Sequence, residues 1–348
     1  MKIVLKALCK FLFHTVPVIF LLIAGDAAYG GDEPRSGIAG PAFTDPLQMI
    51  EMPDTWKSRA VQYDSDAAGA DLVISLDQQM YPAFAPLIQE YAKENNVKIF
   101  IYDGTCGLTA GKLSQKTIDI GGYCCAPGMI DRLPGLRFHT IGISAIALIV
   151  NRNNPVSTVT LEQARSIFMG ESYRWSELTT ADGTKGPNIP IQTVGRLHCK
   201  LRAGHWRLLL DNEDLFSPNL HEVGAIPDMI SQVAGNERAI GYETLWMIHR
   251  FQQNGNVKAL KIGGRDPGDV SSLLSGAYPL YRTYSLTTWE DESTKNPLAQ
   301  KVVEYVLQKA ENIDRKFRLI PASRLRQAGW KFFGQELTGS VSHSGPGH

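Results

Sequence analysis

The run from Ile141 to Val150 is almost wholly apolar. A strand of that composition tolerates water on neither face, so it has to lie inside a sheet covered on both sides. Helices joining parallel strands are the common way to provide that cover, which points to a layered α/β architecture. The preceding sequence agrees. Asp71 to Ser75 reads as a short buried strand, and Met80, Phe84, Leu87, Ile88 and Tyr91 then recur at helical spacing. Val97, Ile99 and Ile101 alternate as a strand does, and the loop Asp103 to Gly107 leads into another helix through Lys112 and Leu113. This order of strand, helix, strand, loop and helix is that of a parallel sheet.

Later elements are well punctuated. Thr160 with Gln163 forms a capping-box pair ahead of a helix that Gly170 ends. Pro227 sits in the first turn of a second helix, which buries Ile226, Ile230 and Val233, and Asn296-Pro297 opens a third, which buries Leu298, Val302 and Val306. Strands are expected at Ala239 to Tyr242, Val257 to Ile262 and Tyr278 to Trp289. Residues 31–70, rich in Gly, Pro, Asp and Ser, read as a flexible lead-in, and residues 313–348 as a poorly ordered tail.

The N-terminus addresses the compartment. Lys2, Lys6 and Lys10 precede the apolar stretch Phe11 to Ala24, and Ala28-Tyr29-Gly30 follows as a small-residue cleavage site. Residues 1–30 therefore read as a signal peptide and Gly31 as the start of a periplasmic or secreted protein. The 35 basic residues balance the 35 acidic ones, and no basic stripe interleaved with aromatics is present. That balance argues against a nucleic-acid partner and leaves any ligand charge to be met locally. A monomer is expected.

Four segments in order then carry a family resemblance: Leu161 to Leu178 (LEQARSIFMGESYRWSEL), Ala239-Ile240-Gly241-Tyr242, Tyr278-Pro279-Leu280-Tyr281-Arg282, and the helix after Pro297. Together they resemble the type II periplasmic solute-binding proteins, and within them the phosphate-binding branch. The resemblance implies two α/β lobes, each a mainly parallel sheet flanked by helices, with the ligand cleft between them. Lobe 1 would comprise residues 71–149 and 278–312, and lobe 2 residues 150–277. It further implies reversible holding of a small inorganic oxyanion for an ABC-type transporter or a sensor, with no enzymatic step and no cofactor.

Such sheets bind ligands where strand ends meet helix N-termini, and unpaired N–H groups there favour anions. By their place in the family motifs, Ser75, Thr105, Cys106, Gly107, Cys124, Cys125 and Arg196 would surround the ligand, Arg196 with a fork able to engage two oxygens. Ser75 and Thr105 also fit a plain loop-capping role. Here the sequence departs from the family: Cys106 stands in the second loop, Cys124 and Cys125 in the third, and Cys199 after Arg196. Cysteines in an exported protein commonly form disulfides. Cys124 and Cys125, neighbours in an extended segment, would point apart, so a bridge would join Cys106 to one of them, and Cys199 would stay unbridged because its bond would tie the lobes together. The alternative is a metal-binding or thiol-reactive protein on the same scaffold, in which Cys106, Cys124, Cys125 and Cys199, with His198 or His205, hold Cu or Zn. Cys106 at a helix N-terminus would also suit a nucleophile with His198 or His205 as base, but nothing in the sequence fixes that pair.

Overall fold

The computed structural model describes residues 43–178, 183, 185–197, 209–210 and 213–341. After a single turn, α1 (Asp54–Lys57), the first sheet forms from β1 (Leu72–Asp77), α2 (Tyr81–Glu94), β2 (Ile99–Gly104), α3 (Cys106–Ser114) and β3 (Ile120–Tyr123). β1 is buried throughout and runs parallel to both β2 and β3. The hydroxyl of Thr105 accepts from the backbone N–H of Leu108 and so starts α3 immediately after β2.

β4 (Leu136–Asn151) extends the expected apolar run to 16 residues. Beyond it lie β5 (Thr158–Val159), α4 (Leu161–Met169), β6 (Gln192–Gly195), β7 (His221–Glu222), α5 (Ile226–Ala234) and β8 (Ala239–Thr244). They are followed by α6 (Leu245–Arg250), β9 (Val257–Ala259), β10 (Lys261–Ile262) and α7 (Val270–Leu274). α4 has the expected capping box of Thr160 with Gln163, and Gly170 ends it at φ +83°, a left-handed conformation that favours glycine. The chain closes with β11 (Tyr281–Trp289), α8 (Pro297–Ala310), β12 (Ile320–Pro321), α9 (Ala322–Gln327), β13 (Lys331–Phe333) and β14 (Glu336–Gly339).

One sheet path, β2-β1-β3-β11-β4-β8-β6-β7, runs through the molecule. β4 joins its two halves. Its residues Leu136 to Ala145 pair antiparallel with β11, and Ile146 to Val150 pair antiparallel with β8. The core divides at the same place. Ile141 packs with Leu72, Ile74 and Val302, whereas Ile143 and the residues after it pack with Phe168, Trp175 and Tyr242. On β11 the division falls between Tyr281 and Tyr284. The lobes therefore change over within two paired strands, near 142–143 and 282–283, and not at the 149/150 and 278 boundaries expected from sequence. Gly142 marks the crossing: a Cβ there would lie 2.2 Å from the carbonyl oxygen of Ile320, so β12 could not close on β4.

Two further expectations are corrected. Residues 313–341 are not a loose tail. Leu325, Trp330 and Leu337 are buried in the second core, and Trp330 stacks edge-on against Tyr281 while its indole N–H donates to the carbonyl of Leu274. The lead-in is likewise fastened from Phe43 onward. Lys116, itself buried, donates to the carbonyls of Lys57 and Arg59 and lies over the Trp56 ring, while Arg132 binds Thr44 at one end and Glu336 at the other. Composition missed both segments because each relies on a few aromatic and charged anchors and lacks a periodic apolar face. Replacing Trp330 by Ala should destabilise the protein by about 3–5 kcal/mol, read as a lowered urea midpoint; a midpoint unchanged from the wild type would return the segment to the status of a tail.

Candidate ligand site at the lobe junction

The strand ends that meet at the crossing deliver an unusual set of buried polar groups. β1 ends in Ser75 and Asp77, the loop into α2 carries Gln79, α3 begins with Cys106, the chain after β3 bends at Cys124 and Cys125, β11 contributes Arg282, and β8 contributes Glu243 and Thr244. Asp77, Gln79, Arg196, Glu243 and Arg282 are each no more than 3% exposed. Charges of that burial persist only when they are paired or hydrogen-bonded.

Most of the pairing is visible. Arg282 Nη1 donates to Cys124 Sγ at 3.0 Å and to the Cys124 carbonyl at 3.4 Å. Cys106 Sγ donates to Asp77 Oδ2 at 3.3 Å and lies 3.7 Å from Cys124 Sγ and 4.0 Å from Cys125 Sγ. Both sulfur separations exceed a disulfide bond of about 2.05 Å, so no bridge joins Cys106 to either neighbour. The expectation that Cys124 and Cys125 point apart is also corrected, because the backbone bends at both residues and the alternation of an extended strand no longer applies.

Across the junction, Gln79 Nε2 donates to Glu243 Oε1 at 2.9 Å and Thr244 Oγ1 donates to Gln79 Oε1 at 3.1 Å. Arg196 Nη1 lies 3.4 Å from Glu243 Oε2, and the Arg196 backbone N–H donates to the Tyr242 hydroxyl. The two Gln79 contacts bring the first lobe directly onto the second, while the Arg196 contacts lie within the second lobe. The junction is shut.

The electrostatics follow from this arrangement. Hydrogen bonds from Cys106 and Cys125, together with the Arg282 charge, hold the Cys124 thiol well below its usual range despite burial. Burial and the nearby Cys124 charge raise Asp77. Burial works against the charge of Arg282, but Cys124, Glu243 and Asp77 outweigh it, and the guanidinium stays charged. The arrangement thus favours the thiolate form of Cys124 beside Arg282 and the protonated form of Asp77.

The residues expected from sequence are partly brought together. Cys106, Cys124, Cys125 and Arg196 lie in the buried assembly. Ser75 is buried beside it, its hydroxyl bonded to that of Thr109 at 2.8 Å. Thr105 and Gly107 are exposed, and the Thr105 hydroxyl serves the α3 cap, so neither lines the site. Cys199, His198 and His205 lie outside the described residues. Sequence reasoning missed Asp77, Gln79, Glu243 and Arg282 as site residues. Their signal was a charge or amide standing in, or directly after, an otherwise apolar strand.

Two lobes built on shared crossing strands, closed over buried charges, define a bilobal α/β binding protein. The PBP superfamily domain matches residues 61–310, and the chain belongs to that superfamily. It is 24% identical over 259 residues to the phosphate-binding protein PstS of Bacillus subtilis, covering 72% of this chain and 79% of that one. With phosphate-binding protein PstS 2 of Streptococcus agalactiae the identity is 25% over 123 residues, which span 34% of this chain and 41% of the relative. A Clostridium perfringens substrate-binding protein crystallised with bound phosphate superposes with a TM-score of 0.59 at 22% identity, covering 72% of this chain and 99% of that one.

The thiolate can be tested directly. With Cys199 replaced by Ser, absorbance titration of the reduced protein should show one thiol ionising well below the ordinary range near 9, and Cys106→Ala should move it upward. Titration of every thiol in the ordinary range would contradict the arrangement.

Proposed function

We propose that the protein is an exported solute-binding protein that holds a small oxyanion, phosphate or a phosphate-like anion, between its lobes for delivery to a membrane transporter or sensor. The observation that carries this reading is the state of Arg282. Its Nε has no hydrogen-bond partner among the described residues although the side chain is 2% exposed. An unsatisfied buried N–H of this kind costs about 1–3 kcal/mol, more for a charged group, and a ligand oxygen placed against it would recover that energy. Arg196 approaches from the other lobe, so an anion held here touches both lobes and favours their closed arrangement. Membership of the PBP superfamily and the phosphate-binding relatives support the same ligand class.

Calorimetric titration of the reduced protein with phosphate, sulfate and arsenate should detect saturable binding of at least one anion. Arg282→Gln should weaken it by about 2–5 kcal/mol, since a charged partner is removed from a buried contact. Arg196→Glu should abolish it by repulsion. Binding that survives both substitutions, or no binding of any of the three anions, would contradict the reading.

Export rests on the basic and apolar segments of residues 1–30. The secreted product should begin near Gly31 on N-terminal sequencing, and a product that keeps Phe11 to Ala24 would show that the segment is retained.

A further inference from the structure

The oxyanion reading leaves the thiols unexplained. An anion site gains nothing from three cysteines, and Cys106, Cys124 and Cys125 nonetheless converge with Asp77 at the ends of β1 and β3 and the start of α3. The four come from three separate stretches of the first lobe, and all are buried. The ligand atoms of Asp77, Cys106 and Cys124 lie within 4.8 Å of one another.

We propose that Asp77, Cys106, Cys124 and Cys125 form a binding site for a thiophilic divalent cation, Zn(II), contained within the first lobe. The separations measured from Cys106 match a shell around such an ion, with Asp77, Cys106 and Cys124 as the compact set and Cys125 4.0 Å from Cys106. Zn–S bonds of about 2.3 Å in tetrahedral geometry place neighbouring sulfurs about 3.8 Å apart, and with a Zn–O bond of about 2.0 Å they place sulfur and oxygen about 3.5 Å apart. The corresponding separations are 3.7 Å for Cys106 to Cys124, 4.0 Å for Cys106 to Cys125 and 3.3 Å for Cys106 to Asp77. Asp77, Cys106 and Cys124 supply three positions, and Cys125, adjacent to them, would move in to complete the closed four-coordinate shell of a structural zinc site. The mixed sulfur and oxygen set also selects Zn(II) over Cu(I), which prefers sulfur alone.

The surroundings fit the charge. Arg282 donates to Cys124 Sγ from outside the cluster, the position from which an outer hydrogen bond steadies a metal-bound thiolate. The backbone N–H of Gln79 donates to Asp77 Oδ1 at 2.8 Å, leaving Oδ2 on the side of Cys106. Binding replaces thiol protons with the metal, and those protons pass to solvent. Because every ligand belongs to one lobe, the site forms with or without an anion between the lobes. It would fasten the end of β1 to the start of α3 and to the bend after β3, and it would hold Cys124 where Arg282 reaches it.

Protein isolated under reducing conditions and stripped with a chelator should take up one equivalent of Zn(II), measured by competition with a chromophoric chelator. Co(II) in its place should give the intense near-ultraviolet absorption of thiolate-to-metal charge transfer and the visible bands of a tetrahedral ion. Cys106→Ser and Cys124→Ser should each lower the affinity by more than the roughly 10–100-fold typical of outer-sphere changes. Arg282→Gln should weaken metal binding within that smaller range, whereas Arg196→Glu should abolish anion binding and leave metal binding unchanged, so the two readings fail separately. Far-ultraviolet circular dichroism matching the wild type shows that a variant is folded; where a Ser variant does not fold, the Co(II) spectrum of the wild type decides alone. Absence of the charge-transfer absorption, full zinc affinity in a folded Cys106→Ser or Cys124→Ser protein, or a stable Cys106–Cys124 or Cys106–Cys125 disulfide that excludes metal from the native product would overturn the proposal.

Discussion

A buried guanidinium at the point where two lobes share their strands sets the terms for the rest of the structure. Arg282 stands in register with Ser144 where β11 and β4 pass from one lobe core to the other. In that position it cannot be hydrated, so every group around it has to answer its charge. Cys124 does so from the first lobe by accepting the Nη1 hydrogen bond, and Glu243 from the second as an attraction that helps keep the arginine ionised. Glu243 in turn binds Gln79 and Arg196. Glu243 thus takes part both in the contacts that shut the lobes and in offsetting the charge of the arginine.

This coupling explains how a two-lobed protein can answer to a small ligand. The junction closes through a handful of hydrogen bonds of modest net worth, about 0.5–1.5 kcal/mol each for ordinary pairs and more where one partner is charged. The lobe cores divide at Ile141 and Ile143, so the contacts between the lobes are few compared with those within each core. On the proposed reading, an anion bridging Arg282 and Arg196 would favour the closed arrangement, since a ligand shifts such an equilibrium only through its differential contacts with the two states. A metal held by Asp77 and the three cysteines would act differently, by fixing one wall of the junction.

Much of the architecture was legible in the sequence because it depends on local rules. The uninterrupted run at Ile141 to Val150 demanded a doubly covered strand, and the Thr160, Gln163 and Gly170 signals marked α4 at both ends. The lobe boundaries were not legible, since both fall inside continuous strands where no loop or composition change marks the crossing. The last segment was misread for a related reason: Trp330 and Leu337 bury themselves singly and leave no repeating pattern. In the site, the cysteines were visible as departures from a family pattern. Asp77, Glu243 and Arg282 were not, because a charge within an apolar strand reads as noise until the fold shows that all three meet. Of the two roles open to Thr105, its hydroxyl takes the loop-capping one, at the start of α3.

The central claim is that Arg282 and Arg196 hold an anion between closed lobes. A crystal structure of the reduced protein grown with phosphate at saturating concentration tests it most directly. The account predicts tetrahedral density with an oxygen within hydrogen-bonding distance of Arg282 Nε, in contact with groups from both lobes. Density bound elsewhere, or a junction that stays shut and excludes phosphate while Arg282 Nε keeps no partner, would contradict it.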